Sequence, residues 1–322
     1  MTGGVDSSAD VLLATAGYDH TIRFWQAHSG ISLRTLQHPD SQVNCLAFSP
    51  DRVIIAAAGH QHVRMYDVNS NNPNPVVNYD GMSKNVMDCG FQCDGQWMWT
   101  AGEDKTVKIW DLRSPRVACQ RMFQADSPVN CAVLHPNQGE IILGDATGAI
   151  HIWDLRNDDD SGSSHLLKPD HEASIQCLAI NQDANYLASI NNKGDIYVWS
   201  LSQSSPDHAC TLTPKTKVKA HEKYGLKCRF SPDSCLLATT SADSSIKIWN
   251  TADWSLRQTL TAESQRWVWD AQFSADSNYI VTASSDGNGR LWCVDDGDVR
   301  RTYSGHQKAI VCLAFHDKSP GS

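Results

Sequence analysis

The chain has 322 residues, of which 41% are apolar and 20% are charged, and its formal net charge at pH 7 is −9. This composition is typical of neither disordered nor fibrous chains, and the acidic balance argues against nonspecific nucleic-acid binding, so we expect proteins as partners. No run approaches the roughly 18 apolar residues that a membrane helix needs, and the first ten residues have no basic or apolar region typical of a secretory signal. We therefore expect a cytosolic chain without a transmembrane segment.

A short pattern recurs along the chain: a tight turn, then a strand that alternates apolar and polar residues and ends on an aromatic residue. One copy, Ser241 to Trp249, reads SADSSIKIW. Alternation with period two predicts a β-strand, because successive side chains leave opposite faces of the pleat. The aromatic ends of the copies lie 41 to 50 residues apart, at Trp25, Tyr66, Trp110, Trp153, Trp199, Trp249 and Trp292. This period predicts an all-β, seven-bladed WD-repeat β-propeller in which each repeat forms one four-stranded blade.

Each repeat divides into four strands, named a to d from the channel outward, and strand c carries the aromatic end. Strand a is predicted at residues 43–48, 86–91, 129–134, 175–180, 225–230, 268–273 and 310–315. The first repeat lacks an a strand, whereas the last a strand has no strands after it. Because an open ring leaves two unpaired sheet edges, we predict that the C-terminal strand pairs with the N-terminal strands and closes the ring. The chain is then a single domain, 1–322, with short flexible tails at about 1–9 and 318–322.

Hydrogen-bonding residues recur at fixed positions in these repeats. The set typical of WD repeats is a histidine before strand a, a hydroxyl on strand b, an aspartate in the turn between strands b and c, and the tryptophan of strand c. Together these groups form a buried relay that ties strands together. One complete set consists of His221, Asp243 and Trp249, with Thr239 or Ser241 as the hydroxyl.

A second complete set, His306, Asp19 and Trp25, joins the two ends of the chain and supports ring closure. In other repeats the turn aspartate is replaced, by His60, Thr147 and Lys193. The sets resemble hydrolytic triads, but a nucleophile needs an exposed cleft and an oxyanion site, whereas these groups recur at one structural position. We therefore predict structural roles for them and no catalytic residue in the chain.

Eleven cysteines are present, and four of them occupy the same repeat position: Cys45, Cys131, Cys177 and Cys312. Because whole blades separate these residues, we interpret them as small buried apolar side chains and not as disulfides or a metal cage. No CxxC pair occurs in the sequence. Neither a metal site nor a cofactor site is predicted.

Residues at the entrance of the a strands are expected to line the rim of one propeller face. Aligning the strands places Trp267 and Trp269 where other repeats have mostly small or amide side chains, with Tyr224 in the neighbouring repeat. Two interpretations remain open: the indoles fill the channel as packing, or they form a partner-binding patch. The polar border of such a patch would consist of Arg266, Gln42 and Asn44.

A basic run stands out in this acidic chain, directly after a polar connection at 202–216. Its lysines are Lys215, Lys217, Lys219, Lys223 and Lys227. We interpret the segment from Lys215 to Lys227 as either a solvated loop or a surface for an acidic partner.

Several phrases are more specific than a generic WD repeat. Among them are GYDHTIRFWQAHSG at 17–30, GAIHIWDL at 148–155, CRFSPDSCLLATTSAD at 228–243 and GHQKAIVCLAF at 305–315. They closely resemble the G-protein-β-subunit-like family, the LST8 family of small WD-repeat subunits of the TOR kinase complexes. The likeness runs from about Leu12 to Asp317, and the short N-terminal tail and the loop at 158–164 depart from it.

This resemblance implies a non-catalytic scaffold subunit that docks on the C-terminal lobe of the TOR kinase domain and stabilises its active assembly in growth control. Raptor-containing and rictor-containing complexes would share it, as a monomeric subunit of a larger hetero-oligomer. The family's kinase-facing positions match Gln42, Asn44, Trp267 and Trp269. The resemblance also implies a cytoplasmic protein that its complex recruits to lysosomal or other endomembrane surfaces.

Two other functional classes fit the sequence less well. A β subunit of a heterotrimeric G protein needs a long N-terminal helix, and the ten residues before Val11 are too few for a coiled coil. A substrate-recognition adaptor of a ubiquitin ligase that reads phosphorylated degrons would need a ring of arginines and lysines at the channel entrance. The aligned entrance positions do not supply such a ring.

Overall fold

A computed structural model describes residues 11–114, 116–157, 167–169, 173–202 and 209–317. All regular secondary structure in these residues is β-strand, in 26 strands. Within the same ranges there is no helix long and apolar enough to cross a membrane. The tails predicted at 1–9 and 318–322, and the divergent loop at 158–164, lie outside the described residues.

The first sheet contains both ends of the described chain. Its strands are β1 (Leu12–Gly17), β2 (Thr21–Gln26), β3 (Ser32–Gln37) and β26 (Ile310–His316), in the order β26-β1-β2-β3. Strand β26 runs antiparallel to β1, with Leu13 opposite Phe315 and Ala16 opposite Cys312. The last strand of the chain therefore occupies the innermost position beside the first three.

The second sheet has seven strands because one long strand belongs to two repeats. Its strands are β4 (Cys45–Phe48), β5 (Ile54–Ala58), β6 (His60–Asp67), β7 (Val77–Phe91), β8 (Trp97–Gly102), β9 (Thr106–Asp111) and β10 (Cys119–Gln124). The N-terminal part of β7 pairs with β6, and its C-terminal part pairs with β8 from Val86 onward. The a strand predicted at 86–91 is thus the end of a longer strand, and the one predicted at 43–48 begins only at Cys45.

The remaining strands form four further sheets in chain order. A three-stranded sheet contains β11 (Val129–Leu134), β12 (Glu140–Asp145) and β13 (Ile150–Asp154). Leu167 adds an isolated bridge to Ile150 at the outer edge of this sheet. The next sheet has four strands, β14 (Ile175–Ile180), β15 (Tyr186–Asn191), β16 (Asp195–Leu201) and β17 (Leu212–Lys219). It is followed by a four-stranded sheet of β18 (Gly225–Phe230), β19 (Leu236–Ser241), β20 (Ile246–Asn250) and β21 (Leu256–Leu260). The last four-stranded sheet contains β22 (Val268–Phe273), β23 (Tyr279–Ser284), β24 (Asn288–Cys293) and β25 (Val299–Ser304).

The turn between strands b and c has the same backbone geometry at all seven of its positions in the described ranges. One residue of each turn has a φ between 59° and 86°, namely His20, Gln61, Lys105, Gly148, Gly194, Ser244 and Gly287. Where the preceding residue is aspartate, its carboxylate accepts the amide two residues on, as Asp19 does from Thr21 at 3.1 Å. The repeated turn places each such carboxylate at the start of strand c.

The apolar core lies between neighbouring sheets. Ala14 and Ile22 of the first sheet, for example, pack in one buried cluster with Leu46, Ile55 and Tyr66 of the second. The strand-c tryptophans point into these layers and are almost fully buried. Stacked sheets joined in this way, with a C-terminal strand in the first sheet, form an all-β propeller.

Candidate partner-binding face

A continuous chain of hydrogen bonds joins the two ends of the propeller. Trp25 Nε1 donates to the hydroxyl of Thr15 at 2.8 Å, and the same hydroxyl lies 2.8 Å from Nε2 of His306. On the other side of the ring, Nδ1 of His306 lies 2.8 Å from Oδ2 of Asp19. A neutral imidazole with its proton on Nδ1 satisfies every partner, since Nε2 then accepts from Thr15 and Nδ1 donates to Asp19.

The same arrangement recurs around His221. Its Nδ1 lies 2.8 Å from Oδ2 of Asp243, and its Nε2 lies 2.9 Å from the hydroxyl of Thr239, which accepts Trp249 Nε1 at 3.0 Å. The sequence left Thr239 and Ser241 as alternatives for this hydroxyl. The structure uses Thr239, because Ser241 donates instead to the carbonyl of Tyr224 at 2.8 Å.

Both aspartates of these relays are held in the charged form. Burial alone would raise the pKa of Asp19, but the hydrogen bonds that its carboxylate accepts from His306, from the Thr21 hydroxyl and from the amide of Gln307 outweigh burial and hold that pKa well below its usual value. The pKa of Asp243 is lowered for the same reasons by His221 and Ser245. The histidine side chains themselves have no exposed surface.

Other repeats replace the missing histidine by a cation on strand c itself. Trp110 still donates to Thr100 at 3.0 Å, but its turn residue Asp104 pairs with Lys108 at 3.7 Å. In the repeat of Trp292, Asp286 pairs with Arg290 at 2.6 Å. Sequence reasoning missed these pairs, because a basic residue two positions before the tryptophan also occurs in the two complete relays, as Arg23 and Lys247.

A third variant lies in the repeat that ends on Tyr66. Nδ1 of His38 lies 3.1 Å from the hydroxyl of Tyr66, and its Nε2 lies 3.1 Å from Nε2 of His62. All three side chains are buried. Sequence reasoning missed this cluster, because tyrosine replaces the tryptophan and His62 stands where three other repeats have a hydroxyl, namely Thr21, Thr106 and Ser245.

Burial and the neighbouring His62 lower the pKa of His38 from 6.5 to about 3. Its folded pKa thus lies below its unfolded pKa, so between these two values the unfolded chain binds more protons and stability falls as pH falls. We expect replacement of His38 by glutamine to remove about 1.4 kcal/mol per pH unit from the slope of unfolding free energy between pH 5.5 and 4.5, where the unfolded imidazole is almost fully protonated and the folded one is not. Urea unfolding across this range measures the slope.

The matched control is His28→Gln, because His28 is exposed. Its slope should equal that of the unmodified chain. An unchanged slope in His38→Gln would show that His38 does not titrate differently in the two states. The relay aspartates do not interfere in this range. Their folded-state pKa values are depressed, so the stability that they contribute is lost only as the pH falls below about 4.

A β-bulge shapes the entrance of the last complete sheet. The pairing of β22 with β23 shifts register between Val268 and Asp270, so that Trp269 has no partner opposite it. The residue before the strand, Trp267, accepts the amide of Ser285 through its carbonyl at 2.9 Å. The bulge therefore interrupts the simple alternation that would give both indoles the same surroundings.

The two indoles contact each other but differ in exposure. Their ring centroids lie 5.5 Å apart with 45° between the planes. Trp267 is 44% exposed, whereas Trp269 is half-buried and packs on a core cluster that includes Val311 and Cys312 of β26. The Nε1 atom of Trp269 is buried and has no hydrogen-bond partner among the described residues. Trp269 thus packs at the channel entrance, while Trp267 presents its surface to solvent.

The other predicted residues of the patch lie just before inner strands, as Trp267 does. Tyr224 is 55% exposed, and its carbonyl accepts the amide of Ala242 at 2.9 Å in the same pattern as Trp267. Arg266 is exposed, and Gln42 and Asn44 are half-buried. The side chain of Asn44 donates to the carbonyl of Val86 at 3.1 Å and so bridges to β7.

The sequence of the chain is similar to a known repeat family and to known proteins. The WD domain, G-beta repeat family matches residues 30–67, 73–111, 212–250 and 254–293. Over nearly its whole length the chain is similar to the target of rapamycin complex subunit LST8 of Mus musculus, with 57% identity over 99% of both chains.

The chain belongs to the LST8 family.

Similarity to this family extends over a wide range of organisms. The LST8 homolog of Drosophila melanogaster is 50% identical and aligns over 97% of this chain and 98% of its own. The target of rapamycin complex subunit LST8 of Saccharomyces cerevisiae is 46% identical over 95% of this chain and 99% of its own.

The basic run of this LST8-family chain is partly neutralised within its own sheet. Lys215 lies over the ring of Tyr186 and donates to its hydroxyl at 2.8 Å. Lys217 and Lys219 lie 3.4 and 3.6 Å from the carboxylate of Asp195. The run also divides, because Lys227 lies on the inner strand β18 and not on the outer strand β17. It is therefore not one continuous surface for an acidic partner.

The four cysteines that recur at one repeat position are buried, as predicted. All eleven cysteines are free thiols. Within the described part of the chain, no group of three or more histidine, cysteine, aspartate or glutamate side chains is arranged to hold a metal ion.

Proposed function

We propose that this LST8-family chain is a non-catalytic scaffold subunit of the TOR kinase complexes. The observation that carries the proposal is the 57% identity over 99% of both chains to a protein named as a target of rapamycin complex subunit. Relatives from Schizosaccharomyces pombe and Saccharomyces cerevisiae have names of the same kind, at 47% and 46% identity.

We propose further that the chain docks on the C-terminal lobe of the TOR kinase domain through the face that carries Trp267. An exposed tryptophan in contact with a half-buried one, beside a polar border, supports this, because interface hot spots are enriched in tryptophan, tyrosine and arginine. Tyr224 and Arg266 supply the other two residue types. Raptor-containing and rictor-containing complexes share the subunit, which is cytoplasmic and reaches endomembrane surfaces through its complexes.

The propeller has seven blades and forms a single domain, 1–322, in this proposal. The seven-stranded sheet counts as two blades joined through β7, and the three-stranded sheet counts as one blade whose outer strand position is marked by the bridge of Leu167 to Ile150. The remaining four sheets have four strands each.

A rigid disc of this kind acts by binding. A kinase lobe with two conformations is shifted toward the one that the disc binds more tightly. The size of this shift is the difference between the binding free energies of the disc for the two conformations. The histidine, hydroxyl and aspartate groups of the relays support a non-catalytic role, because the histidines and hydroxyls are buried and all three groups are hydrogen-bonded to one another.

The test is affinity purification of the tagged chain from cells of its own species, followed by quantitative mass spectrometry. We expect TOR, raptor and rictor to be recovered together at fixed ratios. Recovery of ubiquitin-ligase subunits without TOR would overturn the proposal and favour a substrate adaptor.

A further inference from the structure

A cavity opens at the end of the inner strands that lies away from Trp267. It lies where β4 and β26 end, at Phe48 and His316, and β18 and β22 also contribute to its wall. Its volume is about 400 Å³, within the range of small-ligand sites in proteins. Because inner strands of four different sheets line it, the cavity belongs to the channel and not to the outer surface.

Two arginines line this cavity with most of their donors unused. Arg229 donates through Nη1 to Cys177 Sγ and to the carbonyl of Cys228, both at 3.4 Å, and its remaining N–H groups have no partner among the described residues. Arg52, in the turn after β4, has no side-chain hydrogen bond or ion pair in those ranges. Lys227, two residues before Arg229 on the same strand, likewise has no partner for its ammonium group within the described chain.

The carboxylates nearby do not neutralise these cations by direct pairing. Asp270, which lines the cavity, accepts the amides of Ala271 at 2.9 Å and Leu313 at 3.1 Å. Asp88 accepts the amides of Cys89 and Ala132 at 3.1 Å each. Each carboxylate thus bridges two neighbouring sheets, and no ion pair within 4 Å joins either of them to the cations in the described residues.

The amide of Gln272 adds a further donor to the wall. Its Oε1 accepts the amide of Phe315 at 2.9 Å, which fixes the orientation of the side chain and leaves its NH₂ group without a protein acceptor in the described residues. The cavity therefore combines two guanidinium groups and a primary amide. Guanidinium groups are suited to phosphate oxygens, because their planar donors match two oxygens at once.

We propose that this channel cavity binds a small phosphate-bearing anion, held between Arg52 and Arg229. Arg52 and Arg229 are both half-buried, and a partly desolvated cation without a partner is costly, so an anion in the cavity offsets that cost. The enclosed volume favours a small molecule over a protein segment. The ligand would link β4 to β18, which belong to sheets that are not joined by strand pairing. The inference does not depend on the proposed function.

The experiment is isothermal titration of the full-length chain with inorganic pyrophosphate, in a phosphate-free buffer and at constant ionic strength. We expect saturable binding of one pyrophosphate per chain. Arg52→Gln and Arg229→Gln should each weaken it at least tenfold. Arg52→Gln is the decisive variant, because the Arg52 side chain makes no hydrogen bond or ion pair within the described residues that the fold would lose.

The matched control is Arg257→Gln, which removes an arginine whose partner is the exposed Asp295 on the outer surface. Its affinity for pyrophosphate should equal that of the unmodified chain. Absence of saturable binding to the unmodified chain would overturn the proposal. So would equal affinity in Arg52→Gln, or a loss of the same size in Arg257→Gln, since both would indicate nonspecific attraction of an anion.

Discussion

Replacement of Trp267 and Trp269 by alanine together is expected to abolish recovery of TOR kinase with the LST8-family chain. Trp267 is 44% exposed and in contact with Trp269, so the pair offers a large rigid aromatic surface at the channel entrance. Loss of two hot-spot side chains removes roughly 3 kcal/mol or more, which is about 100-fold or more in affinity. Quantitative mass spectrometry of the purified complexes measures the loss.

Single variants separate binding from packing in this experiment. Trp269 packs on the core, so Trp269→Ala lowers stability as well as binding, whereas Trp267→Ala affects binding with little loss of stability. Tyr279→Ala is the matched control, because this exposed tyrosine begins strand β23 at the opposite end of the same blade. Full recovery of TOR with a folded double variant would place the kinase on another surface and leave the family assignment intact.

Asp19→Ala is expected to lower the free energy of unfolding by about 2 to 4 kcal/mol. The substitution leaves Nδ1 of His306, the Thr21 hydroxyl and the amide of Gln307 without the acceptor that each now uses. Buried donors that lose their acceptor carry the full cost of desolvation. Chemical denaturation at pH 7 measures the change.

Two further variants show whether ring closure adds to this effect. Asp243→Ala breaks the equivalent bonds within one sheet, without connecting the ends of the chain. Asp295→Ala removes an exposed carboxylate, and a surface ion pair contributes about 1 kcal/mol or less. We expect Asp19→Ala to exceed both. A denaturation midpoint of Asp19→Ala equal to that of Asp295→Ala would contradict the closure argument.

The strand pattern was accessible from the sequence because each repeat carries its own alternation and its own turn. The a strands predicted at 129–134, 175–180, 225–230 and 268–273 coincide with β11, β14, β18 and β22. The merged strand β7 was not predicted. No proline interrupts residues 77–91, whereas Pro39 and Pro128 lie just before the a strands at either side.

The candidate site was predictable as a set of positions but not as a surface. Alignment of the strands identified Trp267 and Trp269, yet their different exposure depends on the bulge in β22, which a period-two pattern does not contain. The cluster of His38, His62 and Tyr66 was not recognised either. Tyr66 replaces the usual tryptophan and His62 a usual hydroxyl, so the repeat resembles a degenerate copy although His38 occupies the place of the relay histidine.

The position of β26 in the first sheet also determines when that sheet can be completed during synthesis. Strands β1, β2 and β3 leave the ribosome first, but the partner of β1 is encoded near the end of the chain. Synthesis proceeds at about 5 to 20 residues per second, so the inner edge of β1 remains unpaired for roughly 15 to 60 s before β26 is made. Because that contact spans almost the whole sequence, its closure is expected to be a late and slow step of folding. An exposed strand edge is thus a feature of every nascent copy, even though the finished ring has none at that position.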